Sequence, residues 1–334
     1  MTVSIKDIAK VMNISYSTVS RALNDSPRVN PETRRRIQDK AAEMGYLPSA
    51  VARSLVTRRT HIIGLVVTTI TDLFFAEVIH AIEETAVKYK YNVILANSNG
   101  KPEHEVEVIR ALRERRVDGI ILISPYSSKE NPFTGTEIDL PVVAVNKFYQ
   151  EYIGYSVGVD NHNSSREATQ HLLDLGHRRI AHIAGLPEEW DSMERQKGYE
   201  QALQAGGLPV DPALIVRSDG RPKAGTEAMQ QLLALPARPT AVFCYNDATA
   251  LGAMRAAYAA GRRIPQDLSV VGFDDIDLAR YFEPPLTTIA QPKREMGGKA
   301  VQMILNLLAG DKVEDCMLPG RLIVRASTMP LQSA

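Results

Sequence analysis

From Ile62 to Gly272 the sequence repeats one arrangement: a short apolar run, a longer stretch with helical spacing, then another apolar run. Strands covered on both faces read as continuous apolar runs, and parallel strands need a long crossover that is usually a helix. The runs Ile62–Val67, Asn92–Ala96, Gly119–Ile123 and Val142–Val145 predict one set of strands, with helices at about 75–89 and 104–115 between the first three. Strands near 156–159, 180–183, 214–216, 241–244 and 269–272 predict a second set, with helices at about 162–175, 193–205, 224–235 and 247–260. The series occurs twice, so the body reads as two lobes of doubly wound parallel sheet. At 334 residues and 44% hydrophobic content, the chain can support roughly two such units beyond a small head.

The first sixty residues have a different character. In residues 4–23, Ile5, Ile8, Ala9 and Met12 recur at helical spacing, and Val19 with Leu23 resumes the pattern after Asn13-Ile14-Ser15. Asn13 tolerates positive φ and can close the first helix, while the Ser15 hydroxyl can cap the second. With Val19 and Leu23 turned inward, Tyr16, Ser17, Thr18, Ser20 and Arg21 remain as candidate base-reading side chains, since arginine grips guanine with two hydrogen bonds. An ordinary amphipathic helical hairpin is the rival reading. Residues 30–44 predict a third helix, capped by Asn30, opened by Pro31 and closed before Gly45. Residues 1–60 carry 11 Lys/Arg against 5 Asp/Glu, although the whole chain has 39 of each. A neutral total therefore hides a basic head on an acidic body, as a phosphate backbone met at one end would favour.

Head and body together resemble the LacI/GalR family of bacterial transcription regulators. The likeness runs from SIKDIAKVMNISYSTVSRAL through YLPSAVARSLVTRRT to LLDLGHRRIAHIAG, RPTAVFCYNDATALGAMRA, IPQDLSVVGFDDID and PPLTTIAQP. It implies an α/β chain with a small all-α helix-turn-helix head and a two-lobed, periplasmic-binding-protein-like body. The DNA-binding domain is then 1–60 and the effector and dimerisation domain 61–334. The lobes are expected at about 61–160 plus 292–320 and at 161–291 plus 321–330. The family's hinge helix falls at 49–56, with Val51 and Ala52 on the DNA face and Leu55 as the minor-groove wedge; a linker residue packed on the body is the alternative for Leu55. Ser49 can cap a helix there, but so short a helix is below the ~12–15 residues needed for stability alone in water. Inserting an apolar wedge between base steps kinks the duplex.

Ligands of such sheets sit outside the carboxyl ends of the strands. The resemblance and that rule select Phe74, Phe75, Asp160, Trp190, Arg195, Asn246 and Asp275, with Asp274 placed behind Asp275. Carboxylates, an amide and a guanidinium suit vicinal hydroxyls, and flat aromatics supply a stacking face. Trp190 either stacks on ligand or packs on its own lobe. A sugar is favoured over a purine or a sugar phosphate. Asp219-Gly220-Arg221 either reaches the cleft or forms a surface turn.

Gly154-Tyr155-Ser156-Val157-Gly158 matches the G-x-S-x-G string of hydrolases, but the string runs into an apolar strand instead of opening a helix. No enzyme is expected, and neither is a metal nor a cofactor: seven histidines show no ligand spacing, and Cys244 and Cys316 suggest neither zinc nor a disulfide framework. No apolar run reaches membrane length and no signal peptide is evident, so a cytoplasmic protein is expected rather than a secreted sugar receptor. The expected partners are pseudo-palindromic operator DNA, a sugar-like effector and a second copy of the chain, in a dimer instead of a coiled-coil tetramer because no leucine heptads follow the body.

Overall fold

The computed structural model describes residues 3–46, 59–123, 140–146 and 154–332. It divides into two compact units, Met1–Thr60 and His61–Ala334. The hinge residues Val51, Ala52 and Leu55 lie outside the described residues.

The first unit holds three helices, α1 (Ile5–Met12), α2 (Tyr16–Leu23) and α3 (Pro31–Glu43). Ser4 caps α1 in a reciprocal pair with Asp7, and Asn13 ends it with φ 54°. Ser15 caps α2 by accepting the Thr18 N–H, and Asn30 caps α3 by accepting the Glu32 N–H. Two eight-residue helices are too short to persist alone. They are held by a shared core of Ile8, Ala9, Val19, Ala22, Val29, Ile37 and Ala41, where full burial of each large aliphatic contributes ~1.5–3 kcal/mol.

The second unit begins with β1 (Ile62–Val67), α4 (Leu73–Lys88), β2 (Asn92–Asn97), α5 (Pro102–Glu114), β3 (Gly119–Ile123), β4 (Val142–Val145) and β5 (Tyr155–Val159). It continues with α6 (Asn161–Asp174), β6 (Ile180–Ala184), α7 (Trp190–Ala205), β7 (Ile215–Arg217), α8 (Pro222–Leu233), β8 (Ala241–Cys244), α9 (Asp247–Ala259), β9 (Ser269–Asp274) and β10 (Thr287–Ala290). The last elements are α10 (Lys293–Ala309), β11 (Cys316–Leu318) and β12 (Arg321–Ile323). The first sheet runs β11-β5-β4-β3-β1-β2 and the second β12-β10-β9-β8-β6-β7. Every described pairing is parallel except β12 against β10.

The chain passes between the sheets three times: through Asp160 after β5, through Gln291-Pro292 after β10, and through Gly320 after β11. Each lobe is therefore discontinuous in sequence, and both sheets present loops and helix starts at the crossings. The helix α10 closes the first lobe by packing on α4, where a Cβ on Gly297 would stand 2.8 Å from the Val78 carbonyl oxygen. Only a residue without a side chain permits that approach. Five helices start one to three residues earlier than their periodicity predicts. The helix α4 begins at Leu73 because Asp72 accepts the Phe74 N–H at 2.8 Å, so both Phe74 and Phe75 lie in its first turn. The helix α7 begins at Trp190. The strands β10 to β12 have three or four residues each, too few to display a period.

Candidate functional site

In the head, Tyr16, Ser17 and Arg21 are exposed on α2, and Thr18 and Ser20 are half-exposed. Val19 and Ala22 point into the core from the same helix. Thr18 takes part in capping, since its hydroxyl lies 2.8 Å from the Ser15 hydroxyl and its N–H donates there. No described carboxylate pairs with Arg21, whereas Arg34 is committed to the carbonyls of Ser26 and Val29. The helix thus presents an uncommitted guanidinium among hydroxyls, on a face whose opposite side is core.

In the second unit a cavity of about 460 Å³ lies where both lobes bring their strand ends and helix starts together. From the first lobe it receives Thr68, Thr69, Asp72, Phe74, Phe75 and Asn146; from the second, Arg195, Tyr245, Asn246 and Asp274, with Gln291 at a crossing. The rings of Phe74 and Phe75 meet edge-on at 5.6 Å. Arg195 is 3% exposed. Its Nε donates to Asn161 Oδ1 at 2.8 Å and its Nη1 to the Tyr245 carbonyl at 2.6 Å. Its guanidinium also lies 3.7 Å from the Phe273 ring centroid and 4.8 Å from that of Tyr245. Asn161 passes the chain of contacts on to the buried Asp191 at 2.9 Å. Removing one partner from so enclosed a charge costs several kcal/mol, so the arginine is held rigidly.

Of the ligand candidates, Phe74, Phe75, Arg195 and Asn246 are brought together on this wall, and Asp219-Gly220-Arg221 reaches it too. Asp160, Trp190 and Asp275 are not. Asp160 spends its carboxylate capping α6, accepting the Asn163 N–H at 3.0 Å and its amide at 2.6 Å. Trp190 faces a smaller neighbouring cavity of about 230 Å³, shared with Asn146, Asn161, Asp191 and Cys316. Asp275 turns to Arg325 at 2.6 Å, and the cavity receives Asp274 instead. Consecutive left-handed residues, φ 117° at Asp274 and 50° at Asp275, decide which carboxylate faces which way. Lys293 holds that kink by donating to both residues' carbonyls and pairing with Glu77.

The next carboxylate inward, Asp247, is fully buried and accepts the Thr288 hydroxyl at 2.6 Å and the Ile276 N–H at 2.9 Å. Gly272 makes room for it: a Cβ there would stand 2.2 Å from Asp247 Oδ1. Burial pushes the carboxyls of Asp72, Glu189, Asp191 and Asp274 above the ordinary carboxylate range. For Asp274, Arg195 works in the opposite direction.

Asp72, Tyr245, Gln291 and the Glu188-Glu189-Asp191 group are lining residues that periodicity and motif matching passed over. Asp72 had a local signal, an aspartate directly before an apolar helical stretch. Gln291 had none, because only the second crossing brings it under Asp274. Ser156 of the G-x-S-x-G string is buried within β5, and its N–H donates to Asp315.

Comparison with known proteins agrees with this arrangement. Residues 4–49 match the model of bacterial regulatory proteins of the lacI family, and residues 169–328 match a periplasmic binding protein-like domain. The chain is 38% identical over 335 residues to the HTH-type transcriptional repressor CytR of Escherichia coli (strain K12), covering 98% of this chain and 97% of that one. It superposes with a TM-score of 0.89 on the lac repressor dimer bound to operator and the anti-inducer ONPF, at 29% identity, covering 98% and 100% of the two chains. A transcriptional regulator CelR–cellobiose complex matches with a TM-score of 0.75 at 30% identity, covering 97% and 99%. The chain belongs to the lacI family of bacterial regulatory proteins and is a ligand-controlled DNA-binding transcription regulator, not an enzyme.

Proposed function

We propose that the protein is a cytoplasmic, homodimeric repressor that reads a pseudo-palindromic operator and changes its grip on that operator when a sugar-like molecule occupies the cavity between the lobes. The observation carrying this reading is the composition of the cavity wall: two aromatic rings from one lobe face a buried guanidinium, an amide and a carboxylate from the other. Aromatic faces stack on the apolar side of a sugar ring while fixed polar groups meet its hydroxyls. Six lining carboxylates against two guanidiniums disfavour a sugar phosphate. The CelR neighbour was solved with cellobiose, which supports a saccharide, and the lac repressor neighbour is a dimer on operator, which supports the paired head.

A ligand that contacts both lobes selects one lobe arrangement, and linkage then makes ligand and operator affinities change reciprocally, typically by ~1–3 kcal/mol. In this reading Val51, Ala52 and Leu55, between head and body, carry that choice to the minor groove of the operator. Among the described residues no helix is long and apolar enough to cross a membrane.

The test is selection of duplexes from a random pool, followed by the same selection with Arg21→Ala. The full chain should enrich a two-fold symmetric site, and the variant should lose discrimination at one base pair per half-site, worth ~1–3 kcal/mol. Enrichment of no site, or equal weakening on random and selected DNA, would refute the assignment of α2 as the reading helix.

A further inference from the structure

The cavity wall has a surplus of hydrogen-bond acceptors. Asp72, Glu188, Glu189, Asp191, Asp219 and Asp274 line it, and Arg195 and Arg221 are its only described cations. Asp72, Glu189, Asp191, Asp219 and Asp274 accept from the Phe74 N–H, the Tyr245 hydroxyl, the Asn161 amide, the Arg221 N–H and the Gln291 amide, and a carboxylate with about four lone-pair sites keeps acceptor capacity beyond one such bond. Arg195 already spends Nε and Nη1 on Asn161 and the Tyr245 carbonyl, and Arg221 is exposed. Two amide oxygens on lining residues, Asn146 Oδ1 and Gln291 Oε1, are buried without a partner, although each residue is only 4% exposed. The Gln291 amide nitrogen donates to Asp274 Oδ1 at 2.6 Å, which leaves its oxygen over. No described cation pairs with Asp72; Arg195 Nη1 stands 3.9 Å from Asp274 Oδ1, while Lys293, at 3.1 Å, is spent on the Asp274 backbone carbonyl. The charge on Asp72 opposes ionisation of Asp274 across the lobes.

A hydroxyl brings one donor together with two acceptor lone pairs, whereas an ammonium brings three donors and no acceptor. A simple polyol would therefore add acceptors to a wall that already has too many, and buried acceptors left unmet are costly. A metal ion is the other way to neutralise carboxylates, but among the described residues no three His, Cys, Asp or Glu side chains are grouped to hold one.

We infer that the effector carries a protonated amine, as an amino sugar does, with its ammonium held between Asp72 of the first lobe and Asp274 of the second and its ring against Phe74 and Phe75. This rests on reading the cavity as the site of a sugar-like effector. The ammonium meets one carboxylate from each lobe and so draws the lobes together, while phosphate or carboxylate groups are repelled.

The full-length protein is titrated calorimetrically at neutral pH with glucosamine, galactosamine and mannosamine, with their parent hexoses, with their N-acetyl derivatives and with the hexose 6-phosphates. At least one free amine should bind about tenfold or more tightly than its parent and its N-acetyl form, and the 6-phosphates about a hundredfold more weakly than the amine. Asp72→Asn keeps a residue able to cap α4, and it should reduce the preference for the amine over its parent to below about threefold; Asp274→Asn should do the same. A parent hexose or a phosphate binding as tightly as its amine overturns the inference and leaves the sugar-responsive reading standing. An amine preference unchanged in Asp72→Asn also overturns it. If no probe of any charge binds, the sugar reading fails and the amine falls with it.

Discussion

His182 lies in the middle of β6, stacked between the rings of Phe243 at 4.9 Å and Tyr199 at 5.1 Å. Its Nδ1 is 2.9 Å from the Phe243 carbonyl and must carry the hydrogen, which leaves Nε2 a bare acceptor, buried and without a partner. Burial pulls the imidazolium pKa down from 6.5 to about 4; the Phe243 carbonyl works against that, and the Arg217 and Arg195 charges add to it. The folded protein therefore keeps a neutral ring where the unfolded chain takes up a proton. The stability contributed is fully present above pH 6.5 and is lost as pH falls from 6.5 toward about 4. At 1.36 kcal/mol per pKa unit, the loss between about pH 7.5 and about pH 4.5 is ~2.5 kcal/mol. The buried carboxylates slope the opposite way, because raised carboxyl pKa values make the folded state the better proton binder, so the wild-type curve alone does not isolate this effect. The difference between wild type and His182→Phe does. That variant keeps an aromatic ring in the stack and loses one hydrogen bond, a pH-independent offset of ~0.5–1.5 kcal/mol. Urea denaturation across this pH range should show His182→Phe gaining ~2.5 kcal/mol relative to wild type as pH falls. A constant difference would refute a neutral, desolvated His182.

Gly272→Ala should destabilise by ~2–5 kcal/mol, because its Cβ would stand 2.2 Å from Asp247 Oδ1 and 2.8 Å from Leu286 Cδ2, and yielding breaks the buried bonds to Thr288 and Ile276. Denaturation midpoints measure it, and a neutral substitution would show that the carboxylate does not need that space. Asp275→Ala should cost ~1–3 kcal/mol of stability by stripping the half-buried Arg325 of its carboxylate, yet leave effector titration unchanged, whereas Asp274→Ala should abolish the effector response. Lost effector binding with unchanged stability in Asp275→Ala would return Asp275 to the site.

Much of the architecture is legible in the chain because it rests on near-neighbour chemistry. Ser4, Asn13, Ser15 and Asn30 bound the head helices through hydrogen bonds to residues two to four positions away. Continuous apolar runs betray the parallel strands because burial on both faces leaves no alternation. The basic head shows in charge counts that need no coordinates. The cavity obeys other rules. Asp274 and Asp275 are chemically identical neighbours, and only two successive left-handed residues, braced by Lys293 through the second crossing, send one into the cavity and the other to Arg325. Asp160 and Trp190 have suitable chemistry, but helix capping and a neighbouring hollow claim them. Gln291 and Asp72 enter because the crossings and the α4 cap put them there. Local propensity thus determined the helices and the longer strands, while the choice of side chains facing the ligand was decided by tertiary structure, since a site built at chain crossings joins residues whose separation in sequence carries no trace of their distance in space.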